Sequence, residues 1–191
     1  MKSVIIVGLG NPDGEYKGTR HNAGRDAARF FAHANKQDHF ELHKKSNSLV
    51  TEVSFGKNGE ARVILPETFM NKSGNAVGAW VKPKKELKNL IVIHDDLDIP
   101  VGRYKISFGK NSGGHKGVES VMRAVKTKNF VRIRIGVAPK KKPSPDKMLN
   151  FIIGKFSPAE SLLIKKNYKK IAEALEVMIT DSLERAMSEY H

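Results

Sequence analysis

The sequence predicts a single α/β domain spanning residues 1–191. Three observations predict it. Short β-branched runs such as Val4-Ile5-Ile6-Val7 recur along the chain. Segments with apolar residues at helical spacing lie between them, and strands alternating with helices mark this class. No internal repeat or interdomain linker interrupts the order, and 191 residues suffice to bury a sizeable core.

The elements follow in order. Residues 4–7 read as a buried strand, continuous and β-branched. Residues 25–34 read as a helix with Ala27, Phe30, Phe31 and Ala34 on one face. Residues 49–55 and 61–65 read as two strands around Gly56-Lys57-Asn58-Gly59, whose Asn-Gly favours a tight hairpin turn. Residues 71–81 hold a short helix packing through Val77 and Trp80. Residues 90–93 form a buried strand that runs into His94-Asp95-Asp96. Residues 103–108 and 131–137 alternate like half-buried strands, with a helix at 118–125 after a glycine-rich loop. Residues 138–150 contain Pro139, Pro143 and Pro145 beside Lys140-Lys141-Lys142, the composition of a mobile basic loop. Ser157-Pro158-Ala159-Glu160 opens the last helix with an N-cap, a first-turn proline and a capping-box glutamate. Leu162, Leu163, Ala174, Leu175, Met178 and Leu183 then recur near helical spacing, with a bend expected at residues 168–170.

Composition narrows the function. Lys+Arg 34 against Asp+Glu 20 gives a net charge of +14, which attracts polyanions such as nucleic acid or serves as a solubilising surface. The chain has no cysteine, so disulfides and thiolate chemistry are excluded. No apolar stretch approaches a membrane span, and the first residues lack a signal-peptide core, so a cytoplasmic protein without a membrane partner is expected.

Three polar segments each follow an apolar strand, and strand ends of that kind converge on a crevice in open α/β sheets. The first holds Gly8-Leu9-Gly10-Asn11-Pro12, Tyr16 and Thr19-Arg20-His21-Asn22. The second is Pro66 to Gly74, and the third is His94-Asp95-Asp96-Leu97-Asp98-Ile99-Pro100. A dinucleotide site does not fit, because Asp13 stands where the fingerprint needs its third glycine and the helix starts too far downstream. A metal site from His94, Asp95, Asp96 and His115 also fits poorly, since neighbours in a strand point to opposite faces.

With these segments joined by Gly113-Gly114-His115, by Arg132-Ile133-Arg134-Ile135-Gly136 and by Phe151-Ile152-Ile153-Gly154, the chain resembles the bacterial-type peptidyl-tRNA hydrolase family over nearly its whole length. The resemblance implies a monomeric α/β fold with a twisted mixed β-sheet surrounded by helices. It also implies hydrolysis of the ester between peptide and tRNA, with no metal and no cofactor. Carried over by position, His21 is the general base and Asp95 holds its ring. Asn71 binds the oxyanion or fixes the water. Asn11 distinguishes a blocked from a free amino terminus through its amide carbonyl and NH₂. Tyr16 and Phe69 offer flat faces to the 3′ nucleotide or the peptide, and Met70 walls the pocket. Lys105, Arg134 and the basic loop hold phosphates without reading sequence. The lysines at 165, 166, 169 and 170 are read as a solvated helix face.

The chain departs from the family pattern at three places. Lys116 occupies a position where the family has an asparagine, and lysine offers a cation but no acceptor. It contacts a tRNA phosphate or the developing oxyanion, or else turns to solvent. Asp13 and Ala138 each replace a more usual glycine. A non-catalytic RNA-binding protein on the same fold is the alternative, since a fold does not guarantee an activity.

Overall fold

The computed structural model describes residues 3–85, 87–139 and 143–190. Its strands are β1 (Ser3–Gly8), β2 (Glu41–His43), β3 (Ser48–Ser54), β4 (Glu60–Pro66), β5 (Leu87–Pro100), β6 (Tyr104–Phe108) and β7 (Phe130–Ala138). They form one mixed seven-stranded sheet in the order β2-β3-β4-β1-β5-β7-β6. The four inner strands run parallel, and antiparallel pairs add β3 and β2 at one end and β6 at the other. The helices are α1 (Ala23–Ala34), α2 (Ser73–Gly78), α3 (Lys116–Val125), α4 (Pro145–Ile152), α5 (Pro158–Thr180) and α6 (Leu183–Glu189).

Strand β5 shows why the sheet is covered on both faces. Ile91 and Ile93 join the core under α1 and α5, whereas Leu90 and Val92 join a second core under α2 and α3. A strand buried on both sides must be continuously apolar, as this one is up to His94. The strand then continues to Pro100, so the third polar segment lies within a strand and not after one. Pairing with Gly136 and Ala138 of β7 carries it that far, a long-range effect that its polar composition conceals.

Several expectations change in detail. The 56–59 segment is a wider connection containing a 3₁₀ turn (Gly56–Asn58), closed by the Phe55 amide donating to the Gly59 carbonyl. On α1 the inward residues are Ala27, Ala28, Phe31 and Ala32, while Phe30 is half-buried and Ala34 exposed. Much of the expected loop at 138–150 is helix α4, begun by Pro145 in its first turn. Lys140, Lys141 and Lys142 lie outside the described residues. Helix α5 runs without a break past Tyr168, which packs inward, and ends only before Asp181 and Ser182. Its capping box is formed as expected, but Leu162 and Leu163 are exposed and Ile164, Ile171 and Leu175 take the inward positions. The four lysines of α5 are exposed.

Asp26 lies on the margin of the α1 face. Burial pushes its carboxyl up to about 6, opposed by the Arg29 charge, while Asp13 adds to the rise and Arg25 and Lys17 oppose it. Its folded pKa exceeds the unfolded one, so between pH 4 and 6 the folded state holds the extra proton and stability falls as pH rises. Asp26→Asn is therefore expected to raise the unfolding free energy at pH 7.5 by up to ~3 kcal/mol. The gain disappears below pH 4, and urea denaturation at both pH values checks it.

Candidate active site

The C-terminal ends of β1, β4 and β5 lie side by side, and the polar segments meet there. Where α1 crosses the sheet, the approach is closer than any side chain allows. A Cβ on Gly24 would lie 2.2 Å from the Ile93 carbonyl oxygen. This contact seats the 3₁₀ turn Arg20–Asn22, just before α1, against β5.

His21 sits in that turn, and its Nδ1 is 3.0 Å from Asp95 Oδ1. The same oxygen lies 2.9 Å from Nε2 of His115. Asp95 is 1 % exposed, so this carboxylate is deeply placed yet reached from two elements. His115 has a second task as the N-cap of α3, where its Nδ1 accepts from the amides of Gly117 and Val118. That acceptance puts the ring proton on Nε2, which donates to Asp95. With Oδ1 accepting from His21 Nδ1 as well, His21 Nε2 carries the lone pair.

The charges follow from these contacts. For His21, burial works against the imidazolium, but the Asp95 charge and hydrogen bond outweigh it and the pKa is raised. For Asp95, burial works to raise the pKa, but the charges and hydrogen bonds of His21 and His115 hold the carboxyl well below the usual range. His94 is fully buried, donates from Nδ1 to the Asp95 carbonyl at 2.7 Å and packs edge-on against His115. Burial, then His115 and Arg132, push its pKa well down.

The donor atoms of His21, Asp95 and His115 lie within 4.8 Å of one another, close enough to ligate a cation. Nδ1 of His21 and Nε2 of His115 already donate to Asp95, and a cation ligated through them would have to displace both protons. The set fits a hydrogen-bonded triad better than a metal centre. The quartet considered from sequence does not assemble, because Asp96 instead accepts from Arg134 Nε at 2.8 Å.

Asn11, Met70 and Asn71 come from the other two segments. Asn22 grips the Asn11 backbone twice: its Oδ1 accepts from the Asn11 amide at 2.9 Å, and its Nδ2 donates to the Asn11 carbonyl at 3.0 Å. The Asn11 side-chain oxygen accepts from the Met70 amide at 2.8 Å. One lone pair of the Asn11 oxygen is thus engaged within the protein, while its NH₂ makes no hydrogen bond among the described residues. Asn71 is exposed in the 3₁₀ turn Met70–Lys72, and its side chain makes no hydrogen bond among the described residues. Met70 is buried, and a Cβ on Gly117 would meet its sulfur at 2.5 Å and His115 Cε1 at 3.1 Å, so the second segment packs against the start of α3 there.

The remaining residues lie further out. Phe69 is 59 % exposed, an unusual position for a large aromatic. Tyr16 is half-buried, with the Glu15 carboxylate beside its hydroxyl raising its pKa. Lys116 is exposed at the first turn of α3, with Nζ 3.3 Å from Glu119 Oε2. Lys105 and Arg134 are register partners on β6 and β7, beside His94 on β5. Arg134 is ion-paired with Asp96, whereas Lys105 is exposed without an ion-pair partner among the described residues.

The sequence offers His115 only as a motif residue and as a member of the poorly fitting metal quartet, and Asn22 only as a motif residue; neither is expected as a hydrogen-bonding partner within the site. Capping positions and side-chain-to-backbone bonds leave no periodic signal. The adjacency of Asn22 to His21 in the sequence gives no hint of its grip on the Asn11 backbone.

The chain is similar to known proteins over nearly its whole length. The sequence profile of the family described as Peptidyl-tRNA hydrolase matches residues 5–191. A peptidyl-tRNA hydrolase of Dehalococcoides mccartyi is 34% identical over 98% of this chain and 98% of its own. One from Mycobacterium tuberculosis is 36% identical over 98% of this chain and 97% of its own. The crystal structure of peptidyl-tRNA hydrolase from Acinetobacter baumannii superposes with a TM-score of 0.84 at 27% identity, covering 97% of this chain and 92% of that one.

Proposed function

Because the chain belongs to the peptidyl-tRNA hydrolase family, we propose that it hydrolyses the ester between peptide and tRNA in peptidyl-tRNA, with His21 as general base. The 3.0 Å contact between His21 and Asp95 carries this reading. A water at His21 Nε2 attacks the ester carbonyl and gives up its proton to that nitrogen. Asp95 stabilises the imidazolium that forms. The Asn71 amide, which has no hydrogen-bond partner among the described residues, donates to the oxyanion or fixes the water. The C–O bond to the ribose then breaks, and the proton on His21 passes to the leaving oxygen. The products are free tRNA and a peptide carboxylic acid, which releases its proton to water, and no step calls on a metal or cofactor.

Recognition rests on the surrounding residues. The Asn11 NH₂ donates to the carbonyl of the peptide bond next to the ester, a group that a free aminoacyl-tRNA lacks. Tyr16 and Phe69 stack on the 3′ nucleotide or the peptide, worth ~1–3 kcal/mol per base. Met70 lines the pocket wall. Lys105 holds phosphate, and Arg134 does so while sharing its charge with Asp96. The net charge of +14 draws in the tRNA. We place the protein in the cytoplasm as a monomer whose residues 1–191 work as one unit, since one chain supplies every group in the reading. No helix among the described residues is long and apolar enough to cross a membrane.

The direct test compares release of tRNA from N-blocked and free aminoacyl-tRNA. Turnover of the blocked substrate only is expected; tight binding without turnover of either would support the RNA-binding alternative.

Lys116 gives a narrower prediction. Its pairing with Glu119 is exposed, and such pairs contribute ~0.2–1 kcal/mol, little enough for a phosphate to displace. Lys116→Asn is expected to raise KM for peptidyl-tRNA at 150 mM salt and to reduce the slope of log KM against log salt by about one phosphate contact. An unchanged slope and rate would return Lys116 to a solvent-facing role.

A further inference from the structure

The largest fully buried polar side chain near the site is one the mechanism does not use. Arg25, in the first turn of α1, is 0% exposed. Its amide donates to the Leu9 carbonyl at 2.9 Å, at the exit of β1. Its guanidinium then reaches two loops. Nε donates to Asp13 Oδ1 at 3.2 Å, Nη1 to the Pro66 carbonyl at 2.7 Å, and Nη2 to Glu67 Oε1. Asp13 is held a second time by Arg29 at 2.5 Å. Glu67 is held a second time through its backbone, its amide donating to the Asn47 carbonyl at 2.8 Å and its carbonyl accepting from Asn47 Nδ2 at 3.0 Å. Gly10 makes room for the clamp: a Cβ there would lie 2.8 Å from Arg25 Cβ.

Stability alone does not explain this arrangement. Burying a guanidinium costs several kcal/mol, and replacing a buried ion pair with apolar groups is often neutral or stabilising. What an apolar side chain cannot do is fix three acceptors on two loops at once. Those loops are the ones that carry Asn11 and Asn71. Asp13 follows Asn11 by two residues, and Glu67 precedes Asn71 by four. The Asn11–Met70 hydrogen bond spans the gap between the same loops. Asp13, a departure from the family's more usual glycine, is therefore one arm of this clamp.

We propose that Arg25 is a positioning residue for substrate selection: it binds the Asp13 loop to the Pro66-Glu67 loop and so sets the separation of the Asn11 and Asn71 amides. The proposal rests on the reading of Asn11 as the group that prefers an N-blocked substrate. Lysine cannot reproduce the planar fork at Arg25. A misplacement of ~1 Å costs up to ~10²-fold in rate.

The test is the ratio of kcat/KM on N-blocked to free aminoacyl-tRNA, measured with Tm for Arg25→Lys, Glu67→Ala, Glu67→Gln and Asn11→Ala. Arg25→Lys and Glu67→Ala are expected to lower the ratio about 10-fold, carried by the blocked substrate. Glu67→Gln, which keeps the acceptor oxygen, restores it to within about twofold of wild type. If Arg25→Lys does not fold, Glu67→Ala, at the 25%-exposed end of the pair, decides the matter. A ratio unchanged in Arg25→Lys and Glu67→Ala but lowered in Asn11→Ala overturns the clamp, even if Tm falls. A ratio unchanged in Asn11→Ala overturns the reading of Asn11 beneath it.

Discussion

Replacing His21 with alanine lowers kcat on N-blocked aminoacyl-tRNA by ~10²–10⁴-fold, the usual worth of a positioned general base. KM stays near that of the wild type, because the residues proposed to hold tRNA and the blocked amino terminus are elsewhere. The fold survives the change. His21 is only partly enclosed, its turn is closed by the Asn22 amide on the Thr19 carbonyl, and Asp95 keeps His115 as a donor. Steady-state kinetics with a circular dichroism control reads the effect. A loss confined to KM would move His21 from base to substrate contact.

Asp95→Asn is the second large effect, expected at ~10²–10⁴-fold in kcat. An asparagine oxygen can still accept from both imidazoles, but the charge that stabilises the imidazolium is gone. Its NH₂ would take the place of Asp95 Oδ2, which is buried without a hydrogen-bond partner among the described residues, at a cost of ~1–3 kcal/mol. The pH profile separates the lost charge from a mere loss of fit. Burial lowers the His21 pKa and Asp95 raises it by more, so the wild-type acid limb lies above the ordinary histidine value. Without that charge only burial remains, and the limb of kcat/KM moves to lower pH. A profile that falls in height without moving would show that Asp95 does not act through the charge of His21. The linked stability runs both ways. The raised pKa of His21 contributes stability that is present below the ordinary histidine pKa and lost as pH rises through the folded one. The lowered pKa of Asp95 contributes stability present above the ordinary carboxylate pKa and lost in acid.

What could be read in the sequence was local. The apolar runs of β1, β4 and β7 and the capping box of α5 are contiguous patterns, and each lies where the pattern put it. The three polar segments were recognisable because each adjoins such a run. The rest depends on contacts between distant residues. β5 extends through His94-Asp95-Asp96 because β7 pairs with it, although nothing in that polar stretch signals a strand. His115 shares a carboxylate with a residue 94 positions earlier, through Asp95, and does so as a helix cap. Arg25 looked like an ordinary polar residue opening a helix; only the fold shows two loops closing over it. Helix α4 was hidden by prolines that in fact occupy its approach and first turn.

The most direct test of the mechanism is a single-turnover time course of tRNA release from N-blocked aminoacyl-tRNA in EDTA, with wild type and His21→Ala side by side. The wild type is expected to run at its full rate and His21→Ala at least ~10²-fold slower. Wild-type speed in His21→Ala, or arrest of the wild type by EDTA, would contradict a metal-free reaction driven by His21.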